Sequence, residues 1–367
     1  VKPNTINDAG PIVRVLALTR YTRLGASSRM RSLQYLPFFE SAGIHVEVSP
    51  LFGDDYLHQL YSKRPTPWGS VANSYFRQAL TLLRARKFDF VWIEKEIFPS
   101  MPAWVEMAMA RLGVKYVVDY DDAIFHNYDL SSNPLKRMLA GKIDAVMRNA
   151  ALVVCGNEYL AERARRAGAP AVVVVPTVVD LMRYSVSPPH AAEELVIGWI
   201  GSPSTAKYLD LLHPILAKLS LRMPLQLRVV GAQVQFPGVD VLCLPWSEET
   251  EVEYIRQFDI GLMPLLESPW ERGKCGYKLI QYMACGVPVI ASPVGVNSQL
   301  VRDGRNGYLA SSEIEWTQAI ERLHADVELR RTLGRQGRED VEKHYCVQVT
   351  SEQLAGLFRQ LARGEQF

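Results

Sequence analysis

The sequence predicts an α/β protein built from two doubly wound halves in series. Three observations carry this. Short apolar runs rich in Val and Ile alternate with segments of helical period, the alternation pauses in a proline-containing stretch from Pro176 to Pro189, and it then restarts. The length agrees: 367 residues exceed one ordinary core, and two domains of ~150–200 residues are the natural division.

In the first half the strands are expected at Val13–Thr19, His45–Leu51, Phe88–Glu94, Lys115–Tyr120, Ala151–Cys155 and Val172–Val175. Helices are expected between them, among them Arg29–Ser41, Ala72–Arg86 and Glu158–Ala167. Unbroken apolar strands separated by helices mean a parallel sheet covered on both faces. Pro176-Thr-Val-Val-Asp180 and the loop Ser185-Val-Ser-Pro-Pro-His190 mark a boundary, because adjacent prolines in a polar segment interrupt regular structure. Strands then recur at Leu195–Ile200, Gln226–Val230, Val239–Leu244, Ile260–Pro264, Val287–Ala291 and Gly307–Leu309. Helices are expected at Tyr208–Ser220, Glu249–Phe258, Lys278–Cys285 and Thr317–Leu323. The charged tail from Asp326 to Leu361 reads as helix. The expected domains are 1–178 and 179–345, with a helix over 346–367 that crosses back to the first. Two such halves hold a ligand in the cleft between them, outside the carboxyl ends of the strands.

Lys and Arg number 41 against 39 Asp and Glu, a net charge of +2. That balance argues against a global polyanion binder, and no nucleic-acid module is recognisable. The five cysteines show no CxxC spacing, so reduced, buried thiols are expected rather than disulfides or metal ligands. No apolar run approaches the ~20 residues of a membrane span. Val1–Gly10 is polar and has no apolar leader core. A cytoplasmic location is expected, with at most a peripheral contact to the inner face of the membrane.

The richest segment runs from Glu271 to Gly307. A strand leads into a loop with Gly273 and Gly276, and a helix starts near Tyr277. Unsatisfied N–H groups at a helix start, with the positive end of its dipole, favour an anion. The glycines allow close backbone approach to a phosphate. Lys274 and Lys278 add charge on either side of that start, and Gln281 follows Lys278 on the same helix face. Gly286 closes the helix. In the first half, Gly25 and the serines of Gly25-Ala-Ser-Ser-Arg29 form a small-residue loop before a helix, and Arg29 is placed to reach a phosphate with its fork. The strand Lys115–Tyr120 ends in Asp119-Tyr-Asp-Asp122, with Glu94-Lys-Glu96 at another strand end. A metal is not expected, because three acids so close on a strand point in different directions.

Gln281-Tyr-Met-Ala-Cys-Gly-Val-Pro-Val-Ile-Ala-Ser292, then Gly295, then Val301-Arg-Asp-Gly-Arg-Asn-Gly-Tyr-Leu309, resembles the retaining glycosyltransferases of family 4, which have the GT-B fold. Pro176-Thr-Val-Val-Asp180 is similar to that family's interdomain hinge. The resemblance implies a nucleotide-diphosphate sugar as co-substrate and no cofactor or metal. It implies two Rossmann-like domains facing each other across a deep cleft, of the kind that builds bacterial cell-surface glycans. The family usually carries two glutamates eight positions apart. Gln281 stands at the second, ribose-binding position, and a carboxamide can bond a diol without charge assistance. Gly273 stands at the first, where the sugar is contacted, and Glu271 or Lys274 would substitute. Lys278 matches a lysine three before the ribose-binding residue in a related pattern.

In the turn Trp199-Ile-Gly-Ser-Pro-Ser-Thr-Ala-Lys207, the resemblance assigns Gly201 to the loop, Lys207 to the diphosphate, and places Ser202 near the family's arginine. Asp121 and Asp122 fall where the family often has a His-Asp pair contacting sugar or acceptor. The expected donor-binding set is thus Gly25, Arg29, Gly201, Ser202, Lys207, Glu271, Lys274, Gly276, Tyr277, Lys278 and Gln281, with Lys207, Asp121 and Asp122 as catalytic residues. The acceptor expected is a glycan or lipid-linked glycan. Basic and aromatic residues between Tyr56 and Phe88 (Lys63, Arg64, Trp68, Tyr75, Phe76, Arg77, Arg84, Arg86, Lys87) and a second group (Lys136, Arg137, Lys142, Arg148) suit an anionic membrane surface. A sugar-nucleotide epimerase of the same fold and a bilobed solute-binding protein are the competing readings.

Overall fold

A computed structural model describes residues 12–62, 67–186, 194–365 and 367. The chain divides into two compact units, Val1–Val175 with Thr350–Phe367, and Pro176–Val349. Lys63, Arg64 and the 187–190 part of the proline loop lie outside the described residues.

In the first unit, β1 (Val13–Tyr21), β2 (Ile44–Phe52), β3 (Phe90–Glu94), β4 (Tyr116–Tyr120), β5 (Leu152–Cys155) and β6 (Val172–Val174) form one sheet in the order β2-β1-β3-β4-β5-β6, every neighbouring pair parallel. In the second, β7 (Leu195–Ile200), β8 (Leu225–Val230), β9 (Asp240–Leu244), β10 (Ile260–Met263), β11 (Val289–Ala291) and β12 (Gly307–Leu309) form a sheet ordered β12-β11-β10-β7-β8-β9, again parallel. Each expected strand is present, with bounds within two residues of those expected. β3, β4, β5 and β7 are buried at every position, as strands covered on both faces must be. The strand order reverses between β1 and β3 and again between β7 and β10. Those switch points open a crevice at the carboxyl ends, where open α/β sheets hold their ligands.

Two helices expected as single elements are broken at a proline, and a third, Ala72–Arg86, runs as Trp68–Leu82 with a separate 3₁₀ turn at Ala85–Lys87. Arg29–Ser41 becomes Ala26–Arg31 and Leu36–Ser41 around a 3₁₀ turn at Leu33–Tyr35. Tyr208–Ser220 becomes a 3₁₀ stretch, Ala206–Leu211, and the helix His213–Ser220. The cause is shared: Pro37 and Pro214 sit in the first turn of the second piece. A proline has no N–H for the preceding turn and its ring clashes with the carbonyl four residues back, so it starts a helix but does not continue one.

The tail forms Val327–His344 and Val347–Arg363. As expected, the last helix completes the first unit. The Phe358 ring lies 5.0, 5.1 and 5.3 Å from those of Phe90, Trp92 and Phe39, and Thr350 Oγ1 is 2.9 Å from Tyr35 Oη.

Candidate functional site

In the second unit the site grows from the β7–β10 switch point. The helix Tyr277–Ala284 begins there, capped by Gly276 at φ +67°. A Cβ at Gly276 would approach Leu300 Cδ1 to 2.2 Å, so conformation and space both demand glycine. Lys278, in the first turn, lays its Nζ 4.8 Å from the centre of the Trp199 ring on β7 and 3.4 Å from Thr205 Oγ1. A Cβ on Gly201 would meet Lys278 Cε at 2.7 Å, so Gly201 is what leaves room for this lysine. The Ser202 carbonyl accepts from Thr205, and Ser202 Oγ is 2.9 Å from Ser204 Oγ. The structure thus brings Gly201, Ser202, Thr205, Gly276, Tyr277 and Lys278 together.

Lys207 is exposed on the 3₁₀ stretch, with its Nζ 5.3 Å from the centre of the Tyr208 ring. Tyr208 and Ser268 both donate hydroxyl hydrogen bonds to the buried Glu271. Against the upward push of burial, those two bonds hold the Glu271 carboxyl below the usual range. Both of its oxygens are engaged, so Glu271 is anchored within its own unit. Lys274 is half-buried, its N–H donating to the Glu271 carbonyl.

Gln281 is buried in a polar network that sequence reading missed. Its Nε2 donates to Tyr184 Oη at 2.8 Å and stands 3.4 Å from Glu251 Oε2. Glu251 also accepts from Tyr184 (3.0 Å), Trp246 Nε1 (2.9 Å) and Arg183 (3.3 Å). Glu251 lies in an acidic run, Glu248-Glu-Thr-Glu251-Val-Glu253, which reads as a solvated helix start. The available signal was its spacing: Glu251 is four residues from Ile255, and these two are the buried positions of the helix Glu251–Ile255. A cavity of about 380 Å³ lies in the same unit, lined by Pro264, Leu266, Ser292, Ser311 and Trp316 among others. Neither Lys207, Lys278 nor Gln281 lines it, so the side-chain cluster marks the site better than the cavity does.

In the first unit, Gly25 caps the helix Ala26–Arg31, and a Cβ there would fall 2.5 Å from Tyr21 Cβ. Arg29, expected at a phosphate, is buried and donates from Nη1 to the Arg23 carbonyl at 3.0 Å. Asp119 turns to Arg31, which grips it at 2.7 and 3.0 Å. Asp121 and Asp122 turn instead to Lys95, whose Nζ is 2.8 Å from Asp121 Oδ1, 3.6 Å from Asp122 Oδ2 and 3.0 Å from Ser27 Oγ. Lys95 follows β3 with φ +66°, a strained backbone for a side-chain-bearing residue. Beside it Glu94 Oε2 accepts from Ser28 Oγ at 2.6 Å and the Arg20 N–H at 2.9 Å. Glu94 Oε1 is buried without a hydrogen-bond partner among the described residues, and burial pushes this carboxyl up. Among the described residues no group of three His, Cys, Asp or Glu could hold a metal ion.

The expected basic surface needs one correction. Lys142, the first residue of the helix Lys142–Asn149, is buried, bonded to Glu96 Oε2 at 2.5 Å and the Phe98 carbonyl at 2.6 Å in the segment that follows β3. Arg77, Arg86, Lys87, Lys136, Arg137 and Arg148 are exposed. Trp68 and Phe76 are exposed at 89% and 62%. Arg84 pairs with Glu47, and Tyr75 is half-buried. No helix among the described residues is long and apolar enough to cross a membrane.

Two family models match the chain: "Glycosyl transferase 4-like domain" over residues 7–177 and "Glycosyl transferases group 1" over residues 194–326. A D-inositol 3-phosphate glycosyltransferase of Paenarthrobacter aurescens is 33% identical over 84 residues, covering 22% of this chain and 19% of that one. The matched segments span 19 to 30% of the length of the first curated relatives. The fold extends much further. A sucrose-phosphate synthase from Thermosynechococcus elongatus superposes with a TM-score of 0.72 at 18% identity, over 96% of this chain and 100% of that one. HepE of Anabaena, solved with UDP and glucose, superposes at 0.70 and 17% identity, over 95% of this chain and 100% of that one. Two parallel six-stranded sheets, a glycine-capped lysine helix at the second switch point, and matches to both halves lead to one conclusion: the chain belongs to the family-4-like, group 1 glycosyltransferases of the GT-B fold.

Proposed function

We propose that the protein transfers a sugar from a nucleotide-diphosphate sugar to a hydroxyl of a glycan or lipid-linked acceptor, with retention of configuration. The observation that carries this is Lys278: a lysine in the first turn of a glycine-capped helix, laid over Trp199 at the switch point of the second unit. Fixed positive charge beside a helix start suits a diphosphate, and such charge acts most strongly where it builds up in the transition state. Lys207 and the Tyr277–Lys278 helix start hold the leaving diphosphate, and Gln281 bonds a ribose hydroxyl. As the bond from the anomeric carbon to the phosphate oxygen breaks, the acceptor oxygen bonds that carbon from the same face. The acceptor proton passes to the departing phosphate, so no enzymic nucleophile is needed. Asp121 and Asp122 contact sugar or acceptor at the carboxyl end of β4. HepE's occupancy by UDP supports a uridine nucleotide as the first donor to test.

The acceptor side suggests a membrane surface. Trp68, Phe76, Leu80 and Leu83 are exposed along one helical segment, with Arg77, Arg86 and Lys87 beside them. Aromatic and aliphatic side chains interleaved with cations match an anionic bilayer surface.

Assay of a nucleotide-sugar panel with and without acceptor glycans tests the reaction. Transfer with release of nucleoside diphosphate is expected. Lys278→Ala and Lys207→Ala should each lower the rate about 10²-fold, the usual cost of losing one fixed charge on a leaving group. Isomerisation of the sugar without acceptor would replace this reading with an epimerase. Binding of free sugar without nucleotide preference would replace it with a solute-binding protein.

A further inference from the structure

We infer that Glu251 is the positioning residue that turns Gln281 into an acceptor for the donor's ribose. The inference rests on the donor-site reading above. An amide can present either end, and which end faces the ligand is set by what holds the other. Glu251 Oε2 lies 3.4 Å from Gln281 Nε2, and a carboxylate only accepts, so the nitrogen must be the end turned toward it. Tyr184 reinforces this. Its one hydroxyl proton goes to Glu251 Oε1, which leaves its oxygen to accept from Gln281 Nε2 at 2.8 Å.

Trp246 and Arg183 donate to the same carboxylate, so Glu251 is spent on four donors and has no capacity for a ligand. Gln281 Oε1 makes no hydrogen bond among the described residues. The carboxamide therefore presents an oxygen, as a glutamate would, and the negative charge sits one residue further back. Glu251 acts through Gln281 and touches no reacting atom.

The test is calorimetric titration of the purified protein with UDP, ADP and GDP, and then with the 2′-deoxy and 3′-deoxy forms of whichever binds. Wild type should lose about tenfold in affinity on removal of the hydroxyl that Gln281 accepts from, the scale of one hydrogen bond. In E251Q the amide is no longer held one way round, and that discrimination should fall below about threefold. In transfer assays KM for the donor should rise with kcat unchanged, since a ribose contact is equal in ground and transition states. Q281E alone sets two carboxylates against each other and should bind weakly. The exchange variant E251Q/Q281E restores one donor amide against one carboxylate and should recover both affinity and discrimination. It also carries the test if E251Q does not fold. Undiminished discrimination in E251Q, or an exchange variant no better than Q281E, overturns the role of Glu251. If wild type binds none of the diphosphates, the donor site itself has been misread.

Discussion

Lys95 joins strain and charge in the first unit. Its left-handed backbone, at φ +66°, carries an ammonium that is only 8% exposed, into the reach of Asp121, Asp122 and Ser27. Such a conformation costs about 1–3 kcal/mol and persists only when surrounding contacts over-determine it. The ion pairs are those contacts. Burial pushes Asp121 up, but Lys95, together with Ser27 and Arg31, more than offsets it and leaves the carboxyl below its usual 3.8. A carboxyl depressed in the folded state stabilises the fold above the unfolded value and loses that contribution as pH falls through the folded one. Asp121→Asn should therefore cost about 2–4 kcal/mol at pH 7, where Lys95 keeps Asp122 but loses its nearest partner. The gap between variant and wild type should close as pH falls below about 4. Urea denaturation at both pH values measures it, and a gap independent of pH would mean that the pair is not what holds Lys95.

The helix Tyr277–Ala284 owes its place to a neighbour as much as to its own sequence. The long helix Val327–His344 approaches it through Gly334 and Gly337. A Cβ on Gly334 would lie 1.9 Å from the Gly286 carbonyl oxygen, and one on Gly337 would lie 2.9 Å from Met283 Cγ. Ala is normally the better helix former by about 1 kcal/mol, so glycine here reflects contact, not propensity. Gly334→Ala should lower stability by about 1–3 kcal/mol, since backbone cannot yield cheaply to an added methyl. It should also weaken nucleotide binding by shifting the Lys278 helix. Gly356, in a helix with nothing within 4 Å of its Cβ position, is the control: Gly356→Ala should gain about 1 kcal/mol. Thermal melts of both variants decide, and equal, small effects would remove glycine contact as the cause.

The same elements show what a sequence can and cannot carry. Strands were legible because β-branched runs bounded by turns are a local signal. The two helix breaks at prolines were not expected, although their cause, Pro37 and Pro214, is equally local. The glycine before the helix and the helix start that carries Lys278 were legible for the same reason as the strands. Glu251 and Lys95 were not, because their meaning lies in partners distant along the chain. Gln281 meets Glu251 across 30 residues and Tyr184 across 97, and Lys95 meets Ser27 across 68. Glu248–Glu253 therefore read only as a charged helix start, and Glu94-Lys-Glu96 only as an acidic strand end.

For the molecule as a whole, near-neutral charge makes a membrane contact a local matter. A net +2 over 367 residues creates no general attraction to an anionic surface. The segment we propose for it carries Trp68, Phe76, Leu80 and Leu83 with Arg77, Arg86 and Lys87. Each basic residue near such a surface contributes about 1 kcal/mol, within a Debye length of ~10 Å at 0.1 M salt. Arg77→Ala with Lys87→Ala should then weaken binding to vesicles containing anionic lipid about 30-fold, and raising salt should weaken wild type in the same direction. Trp68→Ala removes apolar insertion rather than charge, so its loss should persist at high salt. Cosedimentation with anionic and zwitterionic vesicles separates the two contributions. Equal binding to both vesicle types, or indifference to the paired charge removal, would mean that this face meets something other than a membrane.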